Sequence, residues 1–176
     1  DAHRELTIVS TGLGTVRPEH IARRRGARPG DVIAVTGPLG EAEAALAGYE
    51  QHRKELLEPQ PRVAEGESLG RAGVSAMMDI SDGLALSLYD LLAVNDCGFA
   101  IETARLPLPA GVPEQEGREL ALHGGGDFEL LFTAPADIFP VPGVRTHVIG
   151  RVIPERVVLA DGKPLERRGY LHEWGG

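Results

Sequence analysis

Two carboxylates three positions apart, Asp79 and Asp82, flank the hydroxyl of Ser81 in the run Met78-Asp79-Ile80-Ser81-Asp82-Gly83-Leu84. Val74 to Met78 is apolar and strand-like, Gly83 permits a sharp turn, and Leu84 to Leu92 carries apolar residues at helical spacing. The pattern sets the acidic pair where a strand hands over to a helix. Exposed amides and the positive end of a helix dipole favour anions there, and Mg²⁺ takes one or two carboxylates together with phosphate oxygens. The chemistry implied is a magnesium-bound phosphate. Taken alone, the same residues would more often be a helix cap or turn. The alternating ligands and late Glu of an EF-hand are missing.

Other constellations are weaker. Gly124-Gly125-Gly126-Asp127 strips side chains from the backbone just before a strand, which suits close approach to a ligand or a plain turn. It matches neither the Walker loop nor the dinucleotide fingerprint, since no Lys-Ser pair follows and no helix opens there. Arg23-Arg24-Arg25 could clamp phosphates with forked donors, or simply be a solvated face. The six histidines show no paired metal-ligand spacing. Cys97 has no partner for nucleophilic chemistry, and its plainer role is a small buried residue near a helix end.

The elements that must position these residues alternate between strand and helix. The sequence predicts a strand over Glu5 to Thr11 and a short helix over Pro18 to Arg24. A strand at Val32 to Thr36 and an alanine-rich helix from Glu41 to Tyr49 come next. A proline-rich connector, Leu56 to Pro61, leads to a helix at Val63 to Leu69 and then to the strand and helix around the Asp pair. Further strands are expected at Phe99 to Glu102, Phe128 to Thr133, His147 to Val152 and Val157 to Ala160, with a helix near Glu114 to Leu122 and a tight turn at Asp161-Gly162. The expected fold class is α/β (α+β), a mixed sheet flanked by helices.

With 176 residues, 42% of them hydrophobic, the chain can bury one substantial core. A net charge of -8 and the lack of any long basic run argue against nucleic acid, whose binding is dominated by phosphate neutralisation. One cysteine allows no internal disulfide and no thiolate zinc cluster. No apolar run is long enough to cross a bilayer and no basic-then-apolar leader occurs, so no membrane is expected and the cytoplasm is the expected location.

Taken in order, Arg24 to Asp31, Val35-Thr36-Gly37-Pro38-Leu39-Gly40, Pro59-Gln60-Pro61-Arg62-Val63, Asp79 to Leu84 and Gly124 to Phe132 resemble the motifs of thiamine-monophosphate kinases across nearly the whole chain. Those kinases are grouped with aminoimidazole ribonucleotide synthetase, selenophosphate synthetase and a hydrogenase maturation protein, and Asp-Ile-Ser-Asp-Gly-Leu is characteristic of the thiamine branch. The resemblance implies the C-terminal domain of a synthetase-like protein. It implies transfer of the ATP γ-phosphate to thiamine monophosphate, giving thiamine diphosphate, with several Mg²⁺ ions and no covalent intermediate. By the same resemblance Asp79 and Asp82 are magnesium ligands, Ser81 and Arg24 contact the nucleotide, and Gly126 and Trp174 fall at substrate-contacting positions.

Two departures fall at the substrate end. The family often has Gly-Gly-Glu-Asp where this chain has Gly124-Gly125-Gly126-Asp127, and the Gly169 to Trp174 segment carries one extra residue, leaving Tyr170 in reserve for Trp174. A third is larger: family members begin with a domain bearing Asp-Asp and Gly-Gly-Asp-Thr motifs and the dimer barrel, none of which occurs here. Residues 1–17 therefore resemble the last strand of an absent N-terminal domain, with 18–176 as the C-terminal domain. The complete enzyme is expected to be a homodimer, and this chain alone inactive. The competing readings are a non-catalytic remnant or interaction module, and another branch of the superfamily.

Overall fold

The computed structural model describes residues 9–170. Its framework is a seven-stranded sheet in the order β2-β4-β1-β5-β3-β6-β7. The strands are β1 (Val32–Val35), β2 (Ala76–Asp79), β3 (Gly98–Ile101), β4 (Leu130–Ala134), β5 (His147–Ile153), β6 (Val158–Ala160) and β7 (Lys163–Pro164). All neighbours are antiparallel except β3 and β6, which makes the sheet mixed as expected. The helices are α1 (Glu41–Leu46), α2 (Arg53–Leu57), α3 (Val63–Ala72), α4 (Leu84–Val94) and α5 (Glu114–His123).

Alternation along the strands divides the core between the two faces of the sheet. Ile33 and Val35 of β1, Met78 of β2 and Leu131 of β4 pack into the larger cluster with Leu84, Ala85, Leu88 and Leu91 of α4 and Ala121 and Leu122 of α5. Ala34, Phe132 and Ala134 face the other way, against Leu69 of α3 and the Val141 and Val144 segment. Each fully buried Leu or Phe contributes roughly 1.5–3 kcal/mol, so the larger cluster is the rigid body on which α4 and the end of β2 are fixed.

Three expectations are corrected at the edges of elements. Of the predicted strand at Glu5 to Thr11, residues 5–8 lie outside the described part, and 9–11 form no strand; residues 9–17 are exposed and without regular secondary structure. The predicted helix over Pro18 to Arg24 is only a 3₁₀ turn, Pro18–His20. Tertiary hydrogen bonds override helix propensity there, because the Arg23 carbonyl accepts from Met77 N–H and the Arg24 carbonyl accepts from the Asn95 amide. The third is β4, which begins at Leu130 rather than Phe128. Phe128 has φ +53°, and both its N–H and the Glu129 carbonyl engage the single residue Ile80, just past the end of β2, as in a β-bulge.

Candidate functional site

The motif around the acidic pair is pinned by its backbone. Ile80 N–H donates to the Glu129 carbonyl at 2.8 Å, and the Ile80 carbonyl accepts from Phe128 N–H at 3.0 Å. The next two carbonyls, of Ser81 and Asp82, accept from Gly126 N–H at 2.8 Å and Tyr170 N–H at 3.0 Å. The Ile80 side chain is buried in the larger core cluster. Strand alternation then turns Asp79 outward at the end of β2, and Asp82 is exposed beyond the turn.

Neither Ser81 nor Asp82 caps α4. The N-cap is Gly83, which makes no side-chain cap bond. Its φ of +105° with ψ 154° is a conformation that glycine alone adopts readily, and a Cβ there would come within 3.0 Å of the His123 carbonyl. Gly125 has a related reason, since a Cβ there would meet the Ser81 carbonyl at 2.8 Å. The triple-glycine loop thus lies directly against the acidic turn. Among the described residues no hydrogen bond or ion pair engages the Asp79 or Asp82 carboxylate.

The acidic residues on either side of Phe128 turn inward. The Asp127 carboxylate accepts from Gly40 N–H at 2.6 Å and Ala42 N–H at 3.3 Å, capping α1 from across the fold. Burial pushes its pKa from 3.8 up to about 6, although the α1 amides pull the other way. Glu129, only 3% exposed, accepts from Thr36 Oγ1 at 2.5 Å and from Arg62 Nε at 2.9 Å, with the Arg62 guanidinium forked across it. Arg62 of the Pro-Gln-Pro-Arg motif and Glu129 of the Phe-Glu-Leu-Leu motif are therefore one ion pair, buried at the Glu129 end, in a geometry that a lysine could not reproduce.

On the α1 side of this strand lies an acidic cavity of about 170 Å³, bordered by Glu41, Lys54, Glu55, Glu58, Arg62 and Gly126 among others. Burial raises the Glu41 pKa, opposed by His52, whose Nδ1 lies 3.3 Å from Glu41 Oε1 and whose Nε2 lies 2.8 Å from the Ala110 carbonyl. Sequence reading missed this cavity, because Glu41, Glu55 and Gly126 come from three separated segments and no spacing links them.

Asp79, Ser81, Asp82 and Gly126 are brought together. Arg24 is not: it pairs with Asp90 at 3.9 Å, far along α4 from Asp82. The six helical steps from Leu84 to Asp90 alone correspond to about 9 Å. Trp174 lies outside the described residues. Tyr170, its reserve, is 52% exposed and bonds through its backbone to Asp82.

No family model matches the sequence. The fold is that of aminoimidazole ribonucleotide synthetase-like proteins: the E. coli hydrogenase maturation protein HypE superposes with a TM-score of 0.60 at 19% identity, over 82% of this chain and 52% of that one. That likeness is one of fold alone. By sequence the chain is similar to thiamine-monophosphate kinases, over what corresponds to their C-terminal part. The kinase of Methanospirillum hungatei is 50% identical over 174 residues, which are 99% of this chain and 61% of that relative. The chain thus spans about three-fifths of the length of the relatives that it matches. A solved complex of AaThiL with AMPPCP and TMP superposes with a TM-score of 0.76 at 31% identity, covering 86% of this chain and 54% of that one. Among the described residues no helix is long and apolar enough to cross a membrane.

Proposed function

We propose that this chain forms the C-terminal part of an ATP- and Mg²⁺-dependent kinase that converts thiamine monophosphate into thiamine diphosphate. The observation that carries the reading is the pair of exposed carboxylates, Asp79 and Asp82, without partners among the described residues, on a turn tied down by backbone hydrogen bonds from two other segments. The relative bound to AMPPCP and TMP supports the choice of substrates.

The carboxylates suit a hard cation that takes oxygen ligands, and Asp79 and Asp82 would hold it. No group of three or more His, Cys, Asp or Glu suited to a metal occurs among the described residues, so phosphate oxygens, water and other parts of a complete enzyme would fill the remaining positions. Bound magnesium would offset charge on the phosphate oxygens. What the chain itself contributes is positioning: a rigid β2 end, Ser81 as a nucleotide contact, and a glycine loop that lets backbone and ligand approach. The Arg24 to Asp90 pair is more than half exposed on both sides, so releasing Arg24 to reach the nucleotide costs little.

At the substrate end we assign Gly126, which borders the acidic cavity, and Trp174. Residues 1–17 are read as the last strand of a preceding domain and 18–176 as the C-terminal domain, a division supported by the exposure of residues 9–17. Homodimerisation through that preceding domain and a cytoplasmic location complete the reading.

The test uses the complete enzyme. Asp79→Asn and Asp82→Asn keep the shape and lose the charge, so each is expected to cut thiamine diphosphate formation by about 100-fold or more, with melting temperature unchanged. Parent-like rates for both variants across a magnesium titration would refute the assignment.

A further inference from the structure

The turn that carries Asp82 is closed from outside by the last of the described residues. Beyond β7 the chain lies against α4 and α5 as a strap over residues 165–170. Leu165 enters the larger core cluster, and its carbonyl accepts from Tyr89 Oη of α4 at 2.6 Å. Arg168 is tied to α5 twice: its guanidinium pairs with Glu119 at 2.6 Å, and its carbonyl lies 3.1 Å from His123 Nδ1. A carbonyl only accepts, so Nδ1 must carry the proton. Gly169 then passes so close to α4 that a Cβ would run into the Asp82 carbonyl and the Leu86 side chain. Its φ lies outside the left-handed region, so glycine serves close approach there. Tyr170 N–H donates to the same Asp82 carbonyl at 3.0 Å.

We propose that His123 and Gly169 are positioning residues for the magnesium turn: the imidazole holds the strap, the glycine lets it close, and the Tyr170 amide then fixes Asp82 beside Asp79. The inference rests on the reading of these two carboxylates as magnesium ligands and adds how the second is kept in place. Asp79 ends β2, opposite Leu130 in the ladder, so the sheet sets its position. Asp82 lies beyond the ladder. Two bare carboxylates side by side repel each other until a cation arrives, and an untied turn would relax to part them. A backbone tie on Asp82 opposes that relaxation before the metal binds, so the site is preorganised. His123 is placed to serve both ends of the tie. Its ring engages the strap, while its own carbonyl stands where a Cβ on Gly83, the N-cap of α4, would come within 3.0 Å.

The test is made in the complete enzyme. His123→Ala is expected to raise the Mg²⁺ concentration that half-saturates thiamine diphosphate formation by about tenfold, the lower end for groups that orient metal ligands from outside the coordination shell. His123→Asn, whose side-chain N–H stands where Nδ1–H stood, should behave as the parent. Gly169→Ala wedges the strap off Asp82 and should raise the magnesium requirement as His123→Ala does, with kcat at saturating Mg²⁺ kept. A second readout needs no catalysis: without magnesium or nucleotide, amide hydrogen exchange over residues 79–84 should be faster in His123→Ala and Gly169→Ala and parent-like in His123→Asn. Parent half-saturation by Mg²⁺ in both His123→Ala and Gly169→Ala overturns the inference, whether or not the melting temperature falls. A raised requirement with unchanged exchange over 79–84 overturns it too. Asp82→Asn, assayed alongside, separates this inference from the reading beneath it. If Asp82→Asn raises the requirement and the strap variants do not, the positioning role alone fails; if Asp82→Asn leaves it unchanged, the magnesium reading falls and this inference with it.

Discussion

Asp127 shows how a single residue couples the site to the fold. Its carboxylate is enclosed among the first amides of α1 although the residue as a whole is only half-buried, and burial outweighs those amides in raising its pKa to about 6. An acid whose folded pKa lies above its unfolded value stabilises the fold fully below the unfolded pKa, here 3.8, and loses that contribution as pH rises through about 6. The two states of the group differ by at most about 3 kcal/mol. Denaturation between pH 4 and 7 should therefore show stability declining with pH by part of that amount, against the rise that ordinary carboxylates produce. Asp127→Asn keeps an oxygen for the α1 amides and should remove the decline. A variant with the same pH profile as the parent would leave Asp127 ionised throughout and the burial argument wrong.

At the scale of elements, the interior strands and the longer helices were legible in the sequence because their signals are local. β-branched runs gave β1 and β5, and the apolar spacing gave α3, α4 and α5 nearly to their ends. What escaped depends on contacts distant in sequence. Nothing in Pro18 to Arg24 announces that its carbonyls bond Met77 and Asn95, and nothing in Asp-Phe-Glu-Leu-Leu marks a bulge opposite Ile80. The acidic turn itself was legible, since Asp79 and Asp82 lie within one motif; the Arg62 to Glu129 pair, 67 residues apart, was not. The strand-to-helix junction gives the prediction proper to this scale. Gly83→Ala forces a Cβ toward the His123 carbonyl in a conformation that alanine avoids, at a cost on the order of 2 kcal/mol. The melting temperature should fall, and activity of the complete enzyme should fall with it, because the same turn carries Asp82. A Gly83→Ala variant with parent stability and rate would show that the turn relaxes freely.

On the scale of the whole molecule, the proposed function makes the described residues one wall of a site. The sheet and α4 fix two carboxylates, the hydroxyl of Ser81 and a carbon-walled recess along one border, while residues 9–17 are exposed, Leu13 to 98%. Phosphoryl transfer needs charge neutralised around both the entering and leaving oxygens, and metal sites for it use more ligands than two carboxylates provide. Among the described residues no third acidic or imidazole ligand joins Asp79 and Asp82. The 176-residue chain by itself is therefore expected to fold around its core yet produce no thiamine diphosphate above background from ATP, Mg²⁺ and thiamine monophosphate. The complete enzyme, assayed alongside at equal concentration, should turn over. Mass spectrometry must first verify that the short chain is intact, and a cooperative thermal transition that it is folded. Sustained, protein-dependent turnover by that verified chain would mean that one wall suffices, and the division of the site between two domains would have to be abandoned.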